Sequence, residues 1–276
     1  MKLGTSSPLR HLSPEEWAQN QVSLGCRAVV FPVQSDADMS VIKAYKEAAD
    51  KHGLTIAEVG IWRNMLAADE DDRRANVDYA VAQLRLADII GARCAVNVAG
   101  ALGARWDGGY RENFSAEAFG KTVAVIQEVI DRADVKNTYF TIEPMPWMIP
   151  SSPSEYIRLI EAVDRERFGV HLDVINMVNC PERYFFGEKF IDECIDTLGG
   201  RIRSCHIKDV HLRGEYTFQL AECAPGMGEF PLRYYAERIN ALDGDMPMIL
   251  EHLDTDEEYI RYFGYLRSEL EGLYQI

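Results

Sequence analysis

Residues 138–144 read Thr138-Tyr139-Phe140-Thr141-Ile142-Glu143-Pro144, an apolar and β-branched run that stops on a carboxylate and a proline. A run that is apolar throughout, rather than alternating, suits a strand covered by helices on both faces. The same form recurs downstream at 168–173 (FGVHLD), 202–206 (IRSCH) and 247–251 (PMILE), and upstream at 2–6, 27–33, 54–60 and 93–98. Amphipathic stretches of helical length separate these runs. Several have readable starts: Ser13-Pro14-Glu15-Glu16 and Ser152-Pro153-Ser154-Glu155 each place serine at the N-cap, proline at N1 and glutamate at N3. Thr255 with Glu258 repeats the arrangement before the last helix, and Gly53 and Gly91 close two helical segments.

Eight strands alternating with eight helices predict an α/β fold, a (β/α)8 TIM barrel, because right-handed βα units of that number close on themselves. With no low-complexity linker, residues 1–276 read as one domain. A doubly wound open sheet is disfavoured by the lack of a G-x-G-x-x-G turn after the first strand. The longest irregular pieces, 99–113, 144–152 and 207–228, all follow strands, so a barrel gathers them at its catalytic rim.

The formal net charge of −15 argues against a nucleic-acid partner, whose electrostatic footprint has the opposite sign. No run of 18 apolar residues is present, so no membrane-spanning helix is expected. The opening MKLGTSSPLRHL lacks an apolar signal core, and a cytoplasmic location is expected. The six cysteines show no C-x-x-C pair and mostly sit in apolar runs, as buried free thiols do in a reducing compartment.

The strand ends carry the chemistry. TIEP, HLDV, SCHIKD and ILEHL deliver Glu143, Asp173, His206 and Glu251 to one rim from four successive strands. Three converging carboxylates repel, so a cation is their natural compensator. Three oxygen donors and one imidazole suit a divalent metal, Mn²⁺ first, with Mg²⁺, Co²⁺ and Zn²⁺ also accepted.

These residues carry a family resemblance. Glu143-Pro144, His171-Leu172-Asp173, His206-Ile207-Lys208-Asp209, Gly226-Met227-Gly228-Glu229 and Leu250-Glu251-His252 resemble the xylose-isomerase-like barrel superfamily of sugar isomerases, ketose 3-epimerases, keto-inositol dehydratase, hydroxypyruvate isomerase and endonuclease IV. The resemblance implies that Glu143, Asp173, His206 and Glu251 are the metal ligands, with Glu143 and Glu251 as the acid/base pair. Endonuclease IV uses further histidines for a three-metal cluster, where this chain has Trp62, Asn97 and Asn176. The ketose epimerases carry histidine in place of Asn176 and an Asn-Arg-Phe-Glu run where Pro146-Trp147-Met148-Ile149 stands.

The expected activity is a divalent-metal-dependent sugar isomerase or epimerase that abstracts a proton beside a carbonyl through a metal-stabilised enediolate. The alternative is a lyase or dehydratase that eliminates from a keto-sugar, keto-inositol or oxidised glycoside. A non-catalytic carbohydrate-binding barrel is the third class. Lys208, Arg213, Trp62, Asn97, Trp106 and Asn176 are the expected substrate contacts, with Trp147 as a further apolar wall. Asp209 is expected to orient a ligand, and His211 and His252 are auxiliary acid/base candidates. The glycines of Arg105-Trp106-Asp107-Gly108-Gly109-Tyr110 suggest a lid. Tyr259, Tyr262 and Tyr265 on the last helix are read as an exposed face suited to a homo-oligomer contact.

Overall fold

The computed structural model describes residues 1–275. The barrel strands are β1 (Lys2–Thr5), β2 (Ala28–Val30), β3 (Thr55–Gly60), β4 (Cys94–Asn97), β5 (Tyr139–Ile142), β6 (Phe168–Leu172), β7 (Ile202–Ile207) and β10 (Pro247–Leu250). A two-stranded antiparallel hairpin, β8 (Asp209–Leu212) and β9 (Leu220–Cys223), lies between the last two. The eight barrel strands close in the order β1-β10-β7-β6-β5-β4-β3-β2, every pairing parallel. All eight expected strands are present. The stretch 207–228, read from sequence as irregular, instead contains the hairpin.

The crossovers carry α1 (Pro14–Leu24), α2 (Met39–Lys51), α3 (Glu70–Ile90), α4 (Ala116–Ala133), α5 (Pro153–Val163), α6 (Pro181–Phe185), α7 (Gly187–Leu198), α8 (Leu232–Leu242) and α9 (Asp256–Glu269). The sixth crossover holds two helices, so the count among the described residues exceeds the eight expected by one. The three serine and threonine caps form as read: Ser13, Ser152 and Thr255 accept from the amides of Glu16, Glu155 and Glu258. Each glutamate reaches back to the amide just before its cap, at Leu12, Ser151 and Asp254. This ties the entering loop to the first turn of the helix.

Between barrel and helices lies a continuous apolar layer in which Trp17, Leu84, Ile126, Tyr156, Tyr235 and Phe263 are fully buried. Its two tyrosines keep their hydroxyls satisfied at strand ends, Tyr156 donating to Ile142 O and Tyr235 to Leu172 O at 3.2 Å. These bonds fix the strand ends immediately before Glu143 and Asp173. The exposed aromatic face expected on α9 is only partly so: Tyr259 is buried and hydrogen-bonded to Ser6 at 2.7 Å, because its stripe packs inward. Tyr265 does face solvent.

Candidate functional site

The strand ends bring Glu143, Asp173, His206 and Glu251 together, all four buried. One ligand atom from each lies within 4.8 Å of the others. Donors on opposite sides of an ion bound at ~2.1 Å stand ~4.2 Å apart, so a small contraction seats a divalent ion. His206 Nδ1 is 2.7 Å from Glu251 Oε2 and 3.4 Å from Glu143 Oε1. Asp173 Oδ2 has no hydrogen-bond partner: Lys208 Nζ approaches to 2.7 Å, but off the hydrogen-bonding direction. Lys208 thus offers this oxygen charge but no hydrogen bond, which leaves a lone pair open to an ion. The residues therefore fit a divalent ion.

Asn176 connects two of the four. Its backbone amide donates to Asp173 Oδ1 at 2.9 Å, and its side-chain amide to Glu143 Oε1 at 2.8 Å. Beneath the quartet lies a second layer that sequence reading missed. Glu58, in β3, is wholly buried and accepts from His206 Nε2 at 3.0 Å and His171 Nε2 at 2.8 Å. Burial opposes its charge, but His206 and His171 outweigh that and hold the carboxyl far below the usual range. The signal was a lone charge inside the apolar strand TIAEVG. Burial likewise opposes charge on His206, yet Glu251, Glu58 and Glu143 hold it protonated well above the ordinary value.

Lys208 is buried and lies 2.7 Å from both Asp173 Oδ2 and Glu251 Oε1. Desolvation disfavours its ammonium, but these carboxylates more than compensate and keep it charged. Burial lifts the Asp173 pKa to about 7 despite this neighbour.

A cavity of about 910 Å³ opens over the strand ends, and Glu143, His206, Glu251 and Asn176 line it. Trp62, Trp106 and Trp147 contribute walls, and Phe218 and Glu222 reach in from the hairpin. A groove of about 960 Å³ between α3 and α4 shares none of these residues.

Four of the expected residues lie away from the cavity lining in this geometry. Asn97 does not face the cavity: its side-chain amide is committed to Arg63, accepting from the backbone N–H and donating to the carbonyl, both at 3.0 Å. Arg213 stands exposed at the hairpin turn, bonded through its amide to Gln219 O, and does not line the cavity. Lys208 lies behind the carboxylates instead of among the lining residues. Asp209 orients no ligand side chain; it accepts from the amides of Val210, Gly226, Gly228 and Phe230 and so holds the turn after the hairpin. A Cβ on Gly228 would stand 2.4 Å from Asp209 Oδ1 and Val210 O, so the close approach requires glycine.

His252 Nδ1 lies 2.8 Å from Glu222 Oε1, and its Nε2 3.5 Å from Glu251 Oε2. Partial burial pulls its pKa down, but Glu222 and Glu251 prevail and raise it. His211 does not line the cavity. The Arg105–Tyr110 loop is fastened: Asp107 pairs with Arg105 at 2.6 Å, and Asp107 O accepts from Trp147 Nε1 at 2.7 Å.

The sequence profile of xylose isomerase-like TIM barrels matches residues 19–269. The chain belongs to this family. No curated protein sequence matches the chain. Solved structures share its fold at low identity. A xylose isomerase-like TIM barrel protein from Mycobacterium smegmatis, in complex with magnesium, is 15% identical with a TM-score of 0.69, covering 99% of this chain and 95% of its own. D-psicose 3-epimerase from Clostridium cellulolyticum H10, solved with D-tagatose, is 15% identical with a TM-score of 0.72 and full coverage of both chains, 100% each. The probable 3-DHS dehydratase of Bacillus anthracis is 14% identical with a TM-score of 0.73, covering 96% of this chain and 98% of its own. Among the described residues, no helix is long and apolar enough to cross a membrane.

Proposed function

We propose that the chain is a cytoplasmic, divalent-metal-dependent sugar isomerase or epimerase, with residues 1–276 forming one barrel domain. Glu143, Asp173, His206 and Glu251 hold the ion, Mn²⁺ first among those the donors accept, and Glu143 and Glu251 move the proton. The observation that carries this reading is the convergence of four buried ligand atoms within 4.8 Å, three of their side chains lining the large cavity. Family membership and the epimerase fold neighbour support the choice of chemistry.

A bound divalent ion supplies the positive charge that stabilises an enediolate left when a proton leaves carbon beside a carbonyl. The side chains do the rest. Glu143 is aimed by Asn176, and Glu251 by Lys208 and His206. The two glutamates come from different strand ends, after β5 and β10, and serve two faces of the substrate carbon. One takes the proton and the other returns one. Return to the same carbon gives epimerisation, and return to its neighbour gives isomerisation. Trp62, Trp106 and Asn176 line the substrate space, and the tryptophans exclude water from the reacting carbon.

Metal analysis of the purified protein, followed by proton NMR of candidate ketoses in deuterated water, tests the reading. The expected result is one equivalent of bound metal and solvent deuterium at a single carbon without bond cleavage. Release of a leaving group makes the protein a lyase instead. Failure to take up Mn²⁺, Mg²⁺, Co²⁺ or Zn²⁺ rejects both and leaves a carbohydrate-binding barrel.

A further inference from the structure

The walls of the cavity narrow the substrate beyond its reactive centre. We infer that the substrate is a neutral glycoside of more than one unit carrying a ketone in one ring, its second unit resting against the wall made by Trp62, Trp106 and Trp147. This inference rests on the metal-dependent reading above.

Size is the first argument. At about 910 Å³ the cavity matches the upper end of the ~300–1,000 Å³ pockets that enclose drug-sized ligands, and a single hexose is much smaller than such a ligand. The second argument is the wall itself. Trp62, Trp106 and Trp147 keep 37%, 38% and 40% of their surface open, in a fold that buries most of its other large apolar side chains. Two of them are built into place. Trp62 holds φ of 51°, a left-handed conformation rarely tolerated by a bulky aromatic, and a Cβ on Gly60 would stand 2.3 Å from its Nε1. Trp147 is fixed by its 2.7 Å bond to Asp107 O. Rigid indole faces with an apolar body suit the C–H face of a sugar ring.

Charge is the third argument. Away from the proposed ion, Glu222 faces the cavity paired with His252 at 2.8 Å, and the single arginine, Arg105, is tied bidentately to Asp107 at 2.6 and 3.1 Å. A phosphate or carboxylate on the second unit therefore finds no unpaired guanidinium, ammonium or imidazolium among the described lining residues. A neutral ligand needs none.

The glycosidic acetal locks the anomeric carbon, so the carbonyl that acidifies the substrate must stand at another ring carbon. In the reaction the C–H bond beside that ketone breaks and its proton passes to one glutamate. The other glutamate donates a proton to the same carbon from the opposite face. No electrons change hands and the glycosidic bond survives. Such a substrate must come from oxidation of a ring hydroxyl, the hydride passing to a redox cofactor on another enzyme.

The test uses the Mn²⁺-loaded full chain and four probes: cellobiose oxidised to a ring ketone, unoxidised cellobiose, D-fructose and fructose 6-phosphate. Deuterium exchange reads reaction and tryptophan fluorescence reads binding. The expected result is a kcat/KM for exchange on the keto-disaccharide at least ~10-fold above that on fructose, with fructose 6-phosphate weakest. Trp62→Ala should erase most of that preference by raising KM for the disaccharide, and Trp106→Ala gives a second reading should the first variant not fold. Equal or better exchange on fructose or its phosphate overturns the glycoside inference while the metal-enzyme reading stands. Quenching by cellobiose with exchange on none of the ketones overturns the enzyme reading and supports the wall.

Discussion

Glu58 Oε1 lies 3.0 Å from His206 Nε2, on the side of the imidazole opposite Nδ1, which faces Glu251 and Glu143. A carboxylate only accepts, so Nε2 carries the hydrogen and the Nδ1 lone pair is left for an ion when Nδ1 gives up its proton. Glu58 thus fixes both the tautomer and the tilt of the one imidazole in the proposed quartet, from a strand outside that quartet.

Glu58→Gln should weaken metal binding by ~10–100-fold while leaving the barrel folded, since an amide cannot accept from both histidines. Calorimetric titration with Mn²⁺ measures this directly. An unchanged affinity would show that the second layer only packs.

Lys208→Met should destabilise the metal-free protein by ~3–5 kcal/mol, because Asp173 and Glu251 would lose their buried counter-charge. Saturating Mn²⁺ should restore much of the loss by supplying charge to the same carboxylates. Differential scanning calorimetry with and without metal checks both halves of this expectation. A variant as stable as the parent without metal would rule out the counter-charge role.

Metal affinity should fall as pH drops below about 7, because the buried Asp173 carboxyl titrates there and a proton then competes with the ion. For the metal-free fold the sign is opposite. An acid whose pKa is raised contributes stability that is present below its unfolded value of 3.8 and is lost as pH rises to about 7. Proton release on Mn²⁺ addition, followed across pH 5–8, measures the first. Denaturant midpoints of Asp173→Asn against the parent over the same range measure the second.

Cys26, Cys94, Cys194 and Cys205 are buried free thiols, and burial pushes Cys26 and Cys205 up to about 12. They should resist iodoacetamide at pH 8 in the native protein and react on unfolding. Cys180, partly exposed, should be modified first. Mass spectrometry of the alkylated native chain counts the sites. Rapid native labelling at Cys26 would contradict the packing around β1.

The architecture was legible because a parallel strand covered on both faces has a distinctive composition, and YFTI, FGVHL and PMIL have it. The convergence of Glu143, Asp173, His206 and Glu251 was legible because each ends such a strand, where a charge stands out against its neighbours. Glu58 was not, since it lies inside a strand rather than at its end and its partners are 113 and 148 residues away. Asn97 and Arg213 misled for a related reason: chain position gives the rim but not the direction of a side chain. One turned toward the backbone of Arg63 and the other sits at a hairpin turn that sequence had left irregular. Lys208 lies at the expected rim, but behind the carboxylates rather than over the cavity.

Asp209 gathers four amides across the neck of the β8–β9 hairpin, at 2.8, 3.0, 3.1 and 3.2 Å. The hairpin is therefore clamped at its base, one residue beyond Lys208, while Glu222 projects from its second strand and Phe218 from its turn. Residues 213–219 can therefore change length and chemistry without loosening the four strand ends beneath, which makes this short insert the place for an engineer to graft a new preference.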